Sequence, residues 1–252
     1  MTPPETTTFF GLLSVQAVIA ARLRPLKCLY VRSDSSVRGL ARLVHDAKAA
    51  GIPVQTSSPD QLARQFGQDI PDVALEAGPR AFLAPQELLR KLRSAPDPWL
   101  LALEGIEDPH QLGAVFRTAA ATGVTAILLP MRLSQLNPDL VARSSAGTSE
   151  SATTCVADQI NSTLSLLAQE NFRILAASAE AAESIYDVSL CGKIGLVLGG
   201  RRRGLSAQTL SVCTGSISLP MEGSVASLTV ASCAGALLYE AYRQRRNLSS
   251  QR

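Results

Sequence analysis

Short apolar runs and amphipathic stretches alternate along the first third of the chain. Between residues 11 and 79 this alternation predicts a helix, a strand, a helix, a strand, a helix and a strand. The strands are expected at 26–31, 52–56 and 73–77, and the helices near 13–23, 36–50 and 59–66. Ser58 followed by Pro59 is typical of a helix start, and Gly51 of a helix end. The pattern therefore predicts a small α/β unit with a parallel or mixed sheet.

The pattern changes over residues 85–97, which are polar and charged and include Pro85 and Pro96. A short helix at 86–93 fits part of this stretch, but the composition is that of a linker. The sequence thus predicts a first domain over 1–84, a linker over 85–97 and a second domain over 98–252.

Strands and helices alternate again in the second half. Strands are expected at 99–103, 124–129, 172–177, 193–198 and 216–219, and helices over 108–122, from 137 and over 226–242. Asp108 followed by Pro109 predicts the first of these helices, with Gln111 as the partner in a capping box. A strand as uniformly apolar as 194–198 is typical of a parallel sheet covered on both faces.

Composition excludes several classes of protein. Apolar residues make up 46% and charged residues 18% of the 252 residues, which excludes a largely disordered chain. No apolar run reaches the ~20 residues of a membrane span, and the run at 9–21 lacks the basic leader of a secretory signal. The five cysteines form no C-x-x-C pair, and His45 and His110 are far apart, so neither disulfides nor a metal site are expected. The default expectation is a reduced, cytoplasmic protein.

Arginine dominates the basic residues, although the formal net charge is only +3. A guanidinium presents a flat fork of donors that suits phosphate. The arginines cluster at 201–203 and at 243, 245 and 246, which makes both clusters candidates for contact with nucleic acid. A GC-rich genome would explain an arginine surplus equally well.

Three loops follow strands of the second half, at the sheet edge where ligands of parallel α/β sheets collect. The first loop (104–118) leads into a helix N-terminus, which offers free N–H groups to an anion. The second loop (198–206) begins with adjacent glycines, which allow a close approach of the backbone to a ligand. The third loop (219–230) leads into the last helix, and Ser224 is a candidate cap for that helix.

Spacing alone favours structural roles for the polar residues of these loops. Arg117 reads as a surface arginine and Gln111 as a capping partner. No G-x-G-x-x-G, phosphate-loop or G-x-S-x-G pattern is present, so dinucleotide binding and triad hydrolysis have no support.

With these loops the chain resembles the SpoU (TrmH-like) family of RNA ribose 2′-O-methyltransferases, which belong to the knotted SPOUT class. The resemblance is carried by DPHQLGAVFRTA, SAGTSE at 145–150, PMEGSVASL and YEAYRQR, and is nearest to the 23S rRNA guanosine-2′-O-methyltransferases. It implies an α/β fold in which a small L30e-like substrate-binding domain (10–79) precedes a SPOUT domain (98–246). The SPOUT domain is expected to have a deep trefoil knot and a parallel sheet with helices on both faces. The family implies rRNA or tRNA as partner and a homodimer.

The resemblance also implies S-adenosylmethionine as the cofactor, held by main-chain groups of the second and third loops. Carried over to this chain, those positions are Gly199, Leu219 and Leu228, with Leu198 and Met221 beside them. Small or apolar side chains suit a ligand that is recognised by the main chain. No metal is implied.

The arginine of the family's first loop falls on Arg117, which the resemblance implies contacts the target nucleotide and helps to activate the ribose hydroxyl. Since a guanidinium stays protonated in proteins, we expect it to bind a phosphate or to stabilise the developing alkoxide. Ser227 is expected to hydrogen-bond near the ribose. Gln111 and Thr229 would act as polar substitutes for the family's usual amides.

The chain departs from the family's pattern at Gln111, Thr229, Arg201 and Arg202. Arg201 replaces an acidic residue and Arg202 a glycine. Methyl transfer mainly requires alignment of an activated donor, so a main-chain cofactor site is compatible with these changes. The favoured prediction is an RNA 2′-O-methyltransferase. The alternatives are a catalytically degenerate paralogue that acts as an RNA-binding or ribosome-assembly factor and, with less support, a nucleotide-binding α/β enzyme of another class.

Overall fold

The computed structural model describes residues 5–67, 71–200, 204–224 and 227–249. The first part of the chain forms β1 (Thr7–Phe10), α1 (Leu12–Ala21), β2 (Leu26–Arg32), α2 (Leu40–Ala49), β3 (Val54–Ser57), α3 (Pro59–Phe66) and β4 (Val73–Ala77). The rest forms α4 (Pro85–Ser94), β5 (Trp99–Glu104), α5 (Pro109–Thr122), β6 (Ala126–Pro130), α6 (Met131–Ser134), α7 (Pro138–Ser144), α8 (Thr148–Ser151), β7 (Thr154–Ala157), α9 (Ile160–Gln169), β8 (Arg173–Ala177), β9 (Ile194–Gly199), α10 (Ala207–Ser211), β10 (Gly215–Ile217) and α11 (Val230–Ser249).

These elements form two compact units. The first contains the chain up to Ala81 together with Asn137–Ser151, and the second contains Phe82–Leu136 and the chain from Ala152 onward. The first unit is therefore discontinuous, which the sequence division at 84 and 98 did not predict.

The first unit is built on a four-stranded mixed sheet in the order β1-β4-β2-β3. Strands β2 and β3 are parallel, and β4 is antiparallel to both β1 and β2. The predicted start of α3 is confirmed, because the Ser58 hydroxyl accepts a hydrogen bond from Gln61 N and Gln61 Oε1 accepts one from Ser58 N. Strand β1 was not predicted, since its apolar run continues into α1 and only Gly11, at φ 82°, marks the turn between them.

Buried charges attach residues 137–151 to the rest of the first unit. Arg24 donates two hydrogen bonds to the Glu150 carboxylate, at 2.7 and 3.2 Å, and both side chains are almost fully buried. Arg80 donates to the Ser149 carbonyl, and burial lowers the pKa of Arg80 to about 10. The Asp139 carboxylate accepts a hydrogen bond from Phe10 N at 2.8 Å.

The second unit has the predicted parallel sheet, in the strand order β10-β8-β9-β5-β6-β7. All neighbouring strands are parallel. Strand β9, the uniformly apolar run, lies between β8 and β5 near the middle of the sheet. Helices α4 and α9 pack on one face of the sheet, and α11 packs against α5 and β9.

Residues 85–97 do not form the linker that the sequence favoured. Helix α4 occupies most of this stretch and buries Leu88 and Leu92 in the core of the second unit, beside Leu100 and Leu128. The spacing of Leu88 and Leu92, four residues apart, is that of a helix with one apolar face.

The closing helix begins later than the sequence pattern predicts. The sequence predicts a helix over 226–242, and its apolar positions Leu228, Ala231, Gly235 and Leu238 fit a core or an interface equally well. The structure begins α11 at Val230. Of the predicted positions Leu238 is buried in the core, together with Val230, Ala234, Leu237 and Ala241, whereas Leu228 is exposed. Thr229, and not Ser224, caps the helix, because Thr229 Oγ1 accepts a hydrogen bond from Ser232 N at 3.2 Å.

Arg243 and Arg245, near the C-terminus, form hydrogen bonds within the protein that the sequence did not predict. Arg245 is buried, donates to the carbonyls of Leu190, Gly192 and Asp97 at 2.8–3.1 Å, and lies over the Trp99 ring. Arg243 forms two hydrogen bonds of 2.8 Å with Glu240 on the same helix. The expectation that this cluster binds phosphate is therefore wrong for Arg245.

Replacing Arg245 with alanine is expected to lower the free energy of unfolding by about 3 kcal/mol, because three carbonyls lose their donor. Urea denaturation measures this loss. Arg243→Ala is the matched control on the same helix and should cost much less, since that pair is exposed on the arginine side. Equal losses in the two variants would contradict a structural role specific to Arg245.

Candidate active site

The three loops leave the carboxyl edge of the parallel sheet in the second unit. The first follows β5, the second follows β9 and the third follows β10. Strands β5 and β9 are neighbours, with Glu104 paired with Gly199, so the first two loops begin side by side. The third loop follows β10, which is separated from β9 by β8.

The two glycines of the second loop are required by close contact of main chains. A Cβ atom on Gly200 would lie 1.8 Å from the Gly105 carbonyl oxygen, and one on Gly199 would lie 2.5 Å from the Gly204 carbonyl carbon. Gly200 N donates to the Glu104 carbonyl at 2.7 Å, and Gly204 N donates to the Gly200 carbonyl at 2.7 Å. A close backbone approach was predicted here, but the observed contacts are with the first loop and within the second loop itself.

The arginines of the second loop are not part of the described residues. Arg201 and Arg202, where the chain departs from the family's pattern, lie outside them together with Arg203. The expectation for Arg201 stays a prediction.

The predicted cofactor residues differ in exposure. The Leu198 side chain lies in the core, Leu219 and Met221 are half-buried, and Leu228 is 39% exposed. Within the described part of the chain, no hydrogen bond engages the main chain of Leu219, Met221 or Leu228. Main-chain donors and acceptors are therefore available here beside uncharged side chains, which fits a ligand recognised through the backbone.

A cleft of about 250 Å³ lies between the first loop, the second loop and the start of α11. Its walls include Ile106, Gln111, Gly200 and Val230. The capping-box interpretation of Gln111 is wrong, because Asp108 Oδ1 accepts its hydrogen bond from His110 N at 2.8 Å instead. The Gln111 side chain makes no hydrogen bond with the described residues and is free to bind a ligand in the cleft.

Among the described residues that line this cleft, Arg117, Ser227 and Thr229 are absent. Arg117 is exposed on α5, and no ion pair or hydrogen bond joins its guanidinium to a described residue. Ser227 is exposed just before α11, and the Thr229 hydroxyl is engaged in capping that helix. Helix α5, which carries Arg117, packs against α11, which Thr229 caps.

A model of the SpoU rRNA methylase family matches residues 98–239, more than half of the chain. The chain belongs to this family. The resemblance predicted from the sequence is confirmed.

Known relatives extend the similarity of this SpoU protein beyond the matched domain. The 23S rRNA (guanosine-2′-O-)-methyltransferase RlmB of Escherichia coli (strain K12) is 31% identical over 243 residues, which covers 94% of this chain and 98% of RlmB. RlmB of Photorhabdus laumondii is 32% identical over 238 residues, which covers 94% and 97%.

Solved structures agree on the fold. An RNA 2′-O ribose methyltransferase aligns with a TM-score of 0.77 at 26% identity, covering 95% of this chain and 89% of that one. The SpoU methyltransferase AviRb from Streptomyces viridochromogenes, solved in complex with AdoMet (S-adenosylmethionine), aligns with a TM-score of 0.80 at 19% identity, covering 96% and 92%. The α/β fold with a parallel sheet flanked by helices is thus that of SPOUT methyltransferases.

A residue that sequence reasoning missed is Glu104, at the end of β5. Its Oε2 atom accepts a hydrogen bond from Ser206 N at 3.1 Å. Glu104, Arg132 and Ser206 line a second cleft of about 320 Å³ in this SpoU protein, and Arg132 pairs with Glu107 at 3.4 Å. The sequence did contain a signal for Glu104: its carboxylate directly follows an apolar strand, at the sheet edge where ligands bind.

Neither a metal centre nor a membrane span is found in the described part of this SpoU protein. No group of three or more potential metal-binding side chains occurs there, and no helix is long and apolar enough to span a bilayer. Burial raises the pKa of the Cys155 and Cys213 thiols to about 11. Both thiols are therefore protonated at neutral pH and poorly suited to nucleophilic chemistry.

Proposed function

We propose that this SpoU protein is an S-adenosylmethionine-dependent ribose 2′-O-methyltransferase that acts on rRNA, with a guanosine of 23S rRNA as the favoured target. The observation that carries the proposal is 31% identity to RlmB over nearly the full length of both chains. A degenerate paralogue that only binds RNA is not favoured, because the similarity extends through all three loops of the catalytic half.

The proposed cofactor site uses the main chain of Gly199, Leu219, Met221 and Leu228. AviRb, which shares this fold, was solved with S-adenosylmethionine bound. The unengaged main-chain groups of the third loop support the same use here. When bound, the cofactor supplies a methyl group activated by a sulfonium.

The side chains of this chain then have to present the ribose hydroxyl in line with that methyl group. Gln111 faces the cleft with its amide unengaged, so it is suited to orient the hydroxyl. Arg117 carries a permanent charge with no described partner, which suits an RNA phosphate or the developing alkoxide. Ser227 is the proposed second contact near the ribose, and Thr229 holds the start of α11.

Four further features of the family stay predictions for this chain. The insertion of β9 between β8 and β5 supports a knotted catalytic domain. Tyr239, which is 54% exposed on α11, supports a dimer built on that helix. The L30e-like character of the first unit and the cytoplasmic location rest on the family alone.

Replacing Arg117 with alanine is expected to reduce methyl transfer at least about 100-fold while leaving the affinity for S-adenosylmethionine unchanged, because Arg117 is proposed to contact RNA and not the cofactor. The test is transfer of labelled methyl groups to unmodified rRNA, with calorimetry of cofactor binding. Arg93→Ala removes an exposed arginine paired with Glu170 and serves as the control. Full activity in Arg117→Ala would contradict the assignment.

A further inference from the structure

Both ends of the second loop are attached to one residue of the first loop. The Glu104 carbonyl accepts a hydrogen bond from Gly200 N at 2.7 Å, and Glu104 Oε2 accepts one from Ser206 N at 3.1 Å. Glu104 thus holds the loop where it leaves β9 and again where it enters α10. One attachment uses the main chain and the other uses the carboxylate.

The loop between these attachments has little freedom at its stem. Gly204 N bonds to the Gly200 carbonyl, and the two residues form an isolated β-bridge. Gly204 adopts a left-handed conformation, at φ 59°. Ser206 also caps α10, since its hydroxyl accepts a hydrogen bond from Thr209 N at 3.2 Å. A shift of Ser206 would therefore be transmitted to both the loop stem and α10.

The carboxylate also has an electrostatic reason to lie here. Residues 198–206 contain three consecutive arginines and no acidic residue, so this segment has a net positive charge. Glu104 is the acidic side chain whose contact with this loop the structure describes. A negative charge at the described stem of the loop offsets part of the positive charge in its sequence.

We propose that Glu104 is a positioning residue for the cofactor site: its carboxylate holds the second loop so that Gly199 and the main chain around it are in register to bind S-adenosylmethionine. The inference rests on the proposed function. Glu104 acts through the loop and is not assigned a contact with the reacting atoms.

The experiment compares the wild type with Glu104→Ala, Glu104→Gln and Glu107→Gln. Glu107 lies on the same loop and pairs with Arg132, so Glu107→Gln is the matched control. Calorimetry gives the Kd for S-adenosylmethionine, steady-state kinetics give KM and kcat, and amide hydrogen exchange reports on Gly200 and Ser206.

Glu104→Ala should raise Kd and KM for the cofactor about tenfold, with kcat at saturation within about threefold of wild type. Glu104→Gln keeps a hydrogen-bond acceptor but loses the charge. Its Kd for S-adenosylmethionine should therefore lie between those of the wild type and Glu104→Ala. At high salt, where repulsion between arginines is screened, this Kd should approach that of the wild type.

Hydrogen exchange separates positioning from a local hydrogen bond. If Glu104 positions the loop, exchange of both Gly200 and Ser206 amides accelerates in Glu104→Ala, although the Gly200 partner is a main-chain carbonyl that the substitution keeps. Acceleration at Ser206 alone, or an unchanged cofactor Kd in a folded variant, would overturn the inference. If Glu104→Ala does not fold, Glu104→Gln decides by the same two readouts. Absence of S-adenosylmethionine binding by the wild type would instead refute the proposed function, while the exchange result would still decide the role of Glu104.

Discussion

Replacing Glu150 with alanine is expected to destabilise the first unit by about 3–5 kcal/mol, because it leaves buried guanidinium groups without their counter-charge. Arg24 loses both of its hydrogen bonds to the carboxylate. Arg80 is affected as well. Burial lowers the pKa of Arg80, and the negative charge of Glu150 partly opposes this effect. Urea denaturation followed by circular dichroism measures the loss.

The same unit offers a matched control for the Glu150 prediction. Asp46 and Arg42 form an exposed pair 3.9 Å apart on α2, so Asp46→Ala should cost less than about 0.5 kcal/mol. A double substitution, Arg24→Met with Glu150→Leu, should recover much of the stability lost in Glu150→Ala, because apolar residues then replace both charges. A Glu150→Ala loss as small as that of Asp46→Ala would contradict the account of the first unit.

Replacing Gly200 with alanine is expected to weaken S-adenosylmethionine binding at least about 100-fold. The new Cβ atom would lie 1.8 Å from the Gly105 carbonyl oxygen, so the first two loops would have to separate. Gly200 also lines the cleft that contains Gln111, and methyl transfer should therefore fall together with binding. Calorimetry and a methyl-transfer assay measure the two effects.

Gly235 provides the control for this glycine. It lies within α11 with no atom within 4 Å of a Cβ position, so Gly235→Ala should be neutral or slightly stabilising. Cofactor affinity within a few-fold of wild type in Gly200→Ala would show that the contact between the first two loops does not shape the site.

Local signals in the sequence predicted many of the elements. Asp108, Pro109 and Gly123 delimit α5 as predicted, because capping depends on residues close in the sequence. The uniformly apolar run at β9 indicated a parallel sheet covered on both faces. Strand β1 was missed for the converse reason, since its apolar pattern merges with that of the helix that follows.

Hydrogen-bond partners that have no sequence signature account for what the sequence could not predict. Glu104 and Ser206 are 102 positions apart, and a glutamate that accepts a hydrogen bond from a distant main-chain amide has no sequence signature. Arg245 resembled a phosphate-binding arginine because its carbonyl partners lie in other segments of the chain. The spacing of Asp108 and Gln111 predicted a capping box, but the Asp108 carboxylate accepts its hydrogen bond from His110 N, one residue closer along the chain.

Methyl transfer is measured by incubating the protein with labelled S-adenosylmethionine and 23S rRNA transcribed in vitro, followed by nucleoside analysis of the product. We expect label in a single ribose 2′-O-methylguanosine per RNA, and loss of that label in Arg117→Ala. Binding of both RNA and S-adenosylmethionine without any label in a ribose would contradict this expectation.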